Sequence, residues 1–228
     1  MIKPDELQSL QSGHRARLRQ KFLDGKLADY ELLELLLTYA IPRRDVRMLT
    51  RQLCKKYGSV IQVLEAPVES LLENEGIKEN TVAFFKLIHK LMCMDCEHVL
   101  TEKPIFHNYD VLCRYCKLVV GGKPIEEFHV LYLDPNLQLI EDETHSVGTI
   151  NWSAVYVREI VKRALDLNAR SVVLLHNHPT ANVSFSQSDI DITKELEIAL
   201  SKVKIDMFDH MLVSGDVIYS ARNNHYIG

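Results

Sequence analysis

Residues 176–189, His-Asn-His-Pro-Thr-Ala-Asn-Val-Ser-Phe-Ser-Gln-Ser-Asp, gather the residue types that hold a divalent metal. The run SVVLLHNH (171–178) is short, apolar and rich in β-branched residues, so it reads as a strand, and Pro179 ends it. On a strand His176 and His178 point to the same face, with Val172 and Leu174 burying that face behind them. Two imidazoles thus stand side by side at the carboxyl end. Ser186 is the expected N-cap of the next helix. Asp189 falls in that helix's first turn, where the dipole favours a carboxylate. Two imidazoles and one carboxylate leave a fourth position for water, which is the layout of a catalytic rather than a structural zinc. Each piece alone has an ordinary reading: histidines two apart can be a surface pair, and Ser-x-x-Asp can be a helix cap. Their conjunction makes one convergent polar site.

The elements around this stretch can be read from periodicity. EFHVLYL (127–133) is a strand candidate, and Asp134-Pro135-Asn136 forms a turn before LQLIE. Asn151-Trp152-Ser153 opens a helix with Val157, Ile160, Val161, Ala164 and Leu165 at helical spacing. Ile192, Leu196, Ala199 and Leu200 line one face of the helix after Ser186, and DMFDHMLV and DVIYS form a hairpin around Ser214-Gly215. Strands alternating with long helices make residues 101–228 an α/β domain. Residues 1–100 read instead as a small all-α domain, with a linker near residues 97–108. LADYELLELLLTYA (27–40) is ended by Pro42, and Asp45 caps a helix to about Tyr57, where Gly58 follows. A short segment at 67–74 leads to a turn at Gly76 and a helix whose buried stripe is Val82, Phe85, Leu87 and Ile88.

Composition bounds the rest. With 228 residues, 46% hydrophobic and 25% charged, the chain can build a core without disulfide or metal staples. A net charge of −4 argues against a chain devoted wholly to nucleic acid or membranes. No apolar run approaches a membrane span, and MIKPDELQSL holds no signal core, so a cytoplasmic location is expected and no membrane partner. Of the five cysteines, Cys93/Cys96 and Cys113/Cys116 form two pairs with sixteen residues between them, a spacing seen in four-cysteine zinc sites. Yet MCMDCEH and LCRYCK lack Gly and Pro and sit in helix-like stretches, so free thiols packed on helix faces are expected.

His176-x-His178-Pro179, six residues, Ser186, two residues, Asp189 resembles the metal motif of JAMM (MPN-type) metallopeptidases. The wider context, NWSAVYVREIVKRALDLNARSVVLLHNHP and DHMLVSGDVIYS, is similar to the bacterial RadC family within that group. The resemblance implies a JAB/MPN, cytidine-deaminase-like mixed sheet with flanking helices, and zinc held by His176, His178 and Asp189. It implies that Ser186 steadies an oxyanion, and that an upstream glutamate at a strand start serves as general acid/base. Glu127 sits at the equivalent spot, with Glu126 the near rival. The implied reaction is hydrolysis of an amide or isopeptide bond in a protein or peptide substrate, with the acid/base carboxylate moving the proton and Ser186 donating to the oxyanion. Thr180, Ala181, Asn182, Val183 and Phe185 fill a loop where the family usually has Ser-Gly-Asp-Pro and a proline, and Tyr156-Val157 replace its His-Pro. His210 matches a family position beside the ligands, while His129 shares a strand face with Glu127 and is expected to pack in the core or rim.

RadC proteins also carry a helix-hairpin-helix region, and LLENEGIKENTVAFFKLI resembles its second hairpin. Such hairpins bind phosphate through backbone N–H groups at a glycine turn. Here Lys78 stands where a second glycine is usual, and Glu73, Glu75 and Glu79 crowd the turn. Residues 1–100 hold 15 Lys/Arg against 14 Asp/Glu, so any DNA binding by this part is expected to be weak and non-specific. The alternative reading is a DNA-associated, repair-related protein with an auxiliary zinc domain. A zinc deaminase is rejected: it needs His-x-Glu and a downstream Cys-x-x-Cys, whereas position 178 is His and no cysteine follows Cys116.

Overall fold

The computed structural model describes residues 4–148, 154–179 and 184–225. Two expectations, the helix opening at Asn151-Trp152-Ser153 and the loop residues Thr180, Ala181, Asn182 and Val183, lie outside the described residues. The chain divides into two compact units, Met1–His89 and Lys90–Gly228. The first is helical: α1 (Pro4–Leu23), α2 (Asp29–Ala40), α3 (Arg47–Tyr57), α4 (Val60–Glu65), α5 (Val68–Leu72) and the start of α6 (Glu79–Glu102). α2 stops at Ala40, two residues before Pro42, and Asp45 Oδ1 accepts from the Arg47 amide at the start of α3. Gly58 and Gly76 both take positive φ (90° and 94°), the conformation that breaks the helical run at those turns.

Two expectations change in α6. Val82 and Phe85 are buried, but Leu87 is 58% exposed, because the buried stripe runs through residues 82, 85 and 93 and leaves 87 on the far side. The division between units falls at His89/Lys90 within this helix, and no linker occupies residues 97–102. Cys93, Cys96 and Leu100 explain this, since they belong to the core of the second unit.

The second unit adds a short 3₁₀ turn (Ile105–His107), α7 (Tyr109–Val120), β1 (Glu127–Leu133), β2 (Leu139–Val147), α8 (Ala154–Asp166), β3 (Ser171–Asn177), α9 (Gln187–Lys202), β4 (Asp206–Ser214) and β5 (Val217–Ser220). The five strands form one mixed sheet in the order β2-β1-β3-β4-β5. Only β3 and β4 run parallel, joined through α9; the other pairs are antiparallel. Each face of the sheet has its own core. On one, α7 and the end of α6 pack Leu112, Cys116 and Cys96 against Leu131, Val173 and Met211. On the other, Ile160 and Ala164 of α8 and Ile192, Leu196 and Leu200 of α9 pack against Phe128, Val130, Val172 and Leu174. Covered on both faces, β3 is buried at all seven positions, and the apolar run Val172–Leu175 fills its middle. Leu165 of α8 departs from the expected stripe and is half exposed. The four cysteines of the two pairs form no disulfide, pack in or against the first of these cores, and form no metal-holding group among the described residues.

Candidate metal centre

β3 ends at the mouth of the sheet, and α9 starts beside it, where parallel α/β sheets gather ligand-binding groups. His176 is fully buried and His178 partly so, both projecting from one face of β3. His178 continues the pairing past the strand, its amide donating to Val213 O of β4 at 2.9 Å. From α9, Asp189 turns its carboxylate to the two rings. His176 Nε2 lies 3.2 Å from His178 Nε2, and Asp189 Oδ2 lies 3.5 Å from the first and 3.4 Å from the second. These three donors are a group able to hold a cation among the described residues. A tetrahedral zinc with bonds of about 2.0–2.1 Å sets its ligand atoms about 3.4 Å apart. The observed triangle has those edges, so side-chain chemistry and spacing both fit the ion.

The N-cap of α9 builds the third corner. Ser186 Oγ accepts from the Asp189 amide at 3.2 Å, and Asp189 Oδ2 accepts from the Ser186 amide at 2.7 Å, a reciprocal capping box. The exposed Ser186 hydroxyl also donates to Asp189 Oδ2 at 2.7 Å, so it stands at the rim of the triangle. Burial pushes the Asp189 carboxyl up, but the two neighbouring imidazoles, His176 and His178, together with the Ser186 hydroxyl outweigh it and hold the group well below the usual carboxylate range. The acid is therefore ionised at neutral pH, as a ligand must be.

Behind His176 lies His210 of β4, its Nε2 2.9 Å from His176 Nδ1. His210 Nδ1 faces Thr193 Oγ1 at 2.6 Å, and that hydroxyl also meets the Asp189 main-chain carbonyl. His210 is wholly buried, and burial drives its pKa well below the ordinary histidine value. Phe185 caps this pair, its ring centroid 5.0 Å from that of His210 and 5.9 Å from that of His176. The buried Asp209 carboxylate accepts from the His210 amide (2.7 Å) and from Ser220 Oγ (2.7 Å), tying β4 to the end of β5.

The two glutamates separate at this point. Phe128 pairs directly with His176 across β1 and β3, so both face the α8–α9 side. Glu127, one residue earlier, faces the other way. Its carboxylate pairs with Lys123 and lies 3.3 Å from His129 Nε2, while His129 Nδ1 reaches Asp142 Oδ1 at 2.8 Å. Tyr115 of α7 donates to the same Asp142 at 2.8 Å, which places this network on the α7 side. The structure does not bring Glu127 to the histidines. The ladder of β1 and β2 extends to Glu126, whose carbonyl accepts from the Gly148 amide at 2.8 Å. The β1–β3 ladder ends at Phe128–His176, and strand alternation carried two residues past Phe128 would put Glu126 on the histidine face.

Asn177, between the two histidines and buried, holds this entry to β1. Its Oδ1 accepts from the Glu127 amide at 2.8 Å and its Nδ2 donates to the Ile125 carbonyl at 3.2 Å, so one carboxamide grips the backbone on either side of Glu126. Sequence reasoning passed over Asn177 and Thr193. Thr193 was findable, since it lies one helical turn past Asp189. Asn177 was not, because its partners are main-chain groups of another strand.

Residues 106–226 match the RadC-like JAB domain family. The UPF0758 protein of Fusobacterium nucleatum subsp. nucleatum is 36% identical over 218 residues, covering 91% of this chain and 94% of the relative. The UPF0758 protein of Ruegeria pomeroyi is 38% identical over 217 residues, covering 94% of this chain and 97% of the relative. With a mixed five-stranded sheet, two imidazoles at the end of its central strand and an aspartate capping the next helix, this chain belongs to the RadC-like JAB domain family.

Proposed function

We propose that this chain is a zinc-dependent hydrolase of amide or isopeptide bonds in protein or peptide substrates, with His176, His178 and Asp189 as the metal ligands. The observation that carries the reading is the triangle of two imidazole nitrogens and one carboxylate oxygen at tetrahedral spacing. A zinc ion held there supplies a water of lowered pKa and polarises a substrate carbonyl. The protein's own groups supply the proton traffic. Register favours the Glu126 carboxylate for taking a proton and returning it to the leaving amine. Glu127, in the ion pair with Lys123 and beside His129, belongs to the opposite face. Ser186 donates its hydroxyl proton to Asp189 Oδ2. With a cation held at that oxygen, the Ser186 hydroxyl would be placed to turn its proton toward a developing oxyanion instead. Phe185 packs its ring beside the buried His176 imidazole.

The test is a screen of zinc-loaded full-length protein against peptide and isopeptide substrates, with Glu126→Gln and Glu127→Gln in parallel. Glu126→Gln is expected to retain zinc and lose about 10²–10⁴-fold in turnover, the usual worth of a positioned proton-transfer group. Glu127→Gln is expected to cost far less. The reverse order would place the acid/base on the other face of β1, and a wild-type protein that takes up no zinc would end the reading altogether.

A further inference from the structure

The ligands are joined by a second route that does not run through the metal position, and its polarity can be read from one end. The Asp189 main-chain carbonyl can only accept a proton, so the Thr193 hydroxyl in contact with it donates. With its single proton placed there, Thr193 Oγ1 can only accept from His210 Nδ1, 2.6 Å away. A neutral His210 with its proton on Nδ1 has a bare Nε2, and that nitrogen accepts from His176 Nδ1 at 2.9 Å. His176 then carries its proton on Nδ1 and its lone pair on Nε2, the atom that faces His178 Nε2 and Asp189 Oδ2. The opposite polarity would set two acceptors, Thr193 Oγ1 and the carbonyl, against each other and leave His176 Nε2 protonated, unable to bind a cation.

We propose that His210 and Thr193 are positioning residues that lock His176 in the tautomer a metal needs, anchored on the backbone carbonyl of a second ligand, Asp189. Asp189 acts at both ends of the ring: its carboxylate faces the cation, and its carbonyl sets the direction of the relay. This inference rests on the zinc reading above. Groups that fix a ligating histidine in this way typically contribute 10–100-fold in metal affinity.

The experiment measures zinc affinity by chelator competition on the full chain, for wild type, Thr193→Val and Thr193→Ser. Valine keeps the shape of threonine and removes the hydroxyl; serine restores it. Thr193→Val is expected to bind zinc 10–100-fold more weakly, with Thr193→Ser close to wild type. A merely structural role for the methyl group would give the opposite ranking. Imidazole ¹⁵N spectra of the zinc-loaded wild type provide a second readout that needs no variant to fold, and protons are expected on Nδ1 of both His176 and His210. A proton on His210 Nε2, or a Thr193→Val protein that binds zinc like wild type, overturns the relay while leaving the metal site standing. Failure of the wild type to bind zinc defeats both.

Discussion

Asn177 shows how much of a site can rest on a side chain that faces away from it. Its carboxamide replaces a strand-to-strand ladder with two hydrogen bonds that bracket Glu126, one at each neighbouring peptide. Asn177→Ala removes both, leaves the two histidines in place, and lets the entry to β1 drift. Misplacement of a reacting group by about 1 Å costs on the order of 10²-fold in rate. The expected outcome is turnover lower by that factor at unchanged zinc content. In a Glu126→Gln background the same substitution should add little, because residues acting as one unit are not additive. A full additive loss in the double variant would show that Asn177 acts elsewhere.

At the scale of elements, α9 carries two kinds of residue along one stripe. Asp189 and Thr193 occupy its first two turns and address the site; Leu196 and Leu200 continue the same line into the core beneath α8. Position of the ligand is thus set by apolar packing one to three turns away. Leu196 is fully buried, and Leu196→Ala is expected to lower stability by about 2–5 kcal/mol in urea titrations. A loss well under 1 kcal/mol would mean that the helix is held mainly by its cap. This element was legible before any coordinates: Ser186 as cap, Asp189 in the first turn and the leucines at helical spacing all follow from local chemistry. β1 and β3 were legible for the same reason, as runs of β-branched and apolar residues bounded by turns. Register was not, because it is fixed between strands far apart in sequence, and a one-residue step decides between Glu126 and Glu127. Leu87 misled for a similar reason: helical spacing shows that a stripe exists, but neighbours decide which stripe is covered.

For the molecule as a whole, the buried histidines set how stability varies with pH. Burial lowers the pKa of His145, whose Nε2 lies 2.9 Å from the Tyr132 hydroxyl, and does the same more strongly for His210. In the unfolded chain both take up protons as pH falls through about 6.5. The folded state resists until lower pH, so in that window the unfolded state binds more protons and stability rises with pH. The metal-free protein is therefore expected to show a lower urea midpoint at pH 5.5 than at pH 7.5, with a shallower pH dependence in His145→Gln. A midpoint that rises on acidification would contradict this. Among the described residues no helix is long and apolar enough to cross a membrane.

The placement of the ligands on two unlike elements has a kinetic consequence. β3 is the central strand, paired on both sides and covered on both faces, so His176 opens to solvent only when the whole sheet comes apart. Asp189 sits in the first turn of a helix whose cap is solvent-exposed, where fraying is cheap. A cation held there would be gripped by one fixed jaw and one hinged jaw. Its exchange with solution would then be expected to proceed through excursions of the α9 terminus, and the rate at which a chelator strips the metal would report the opening of that single helical turn rather than the unfolding of the domain.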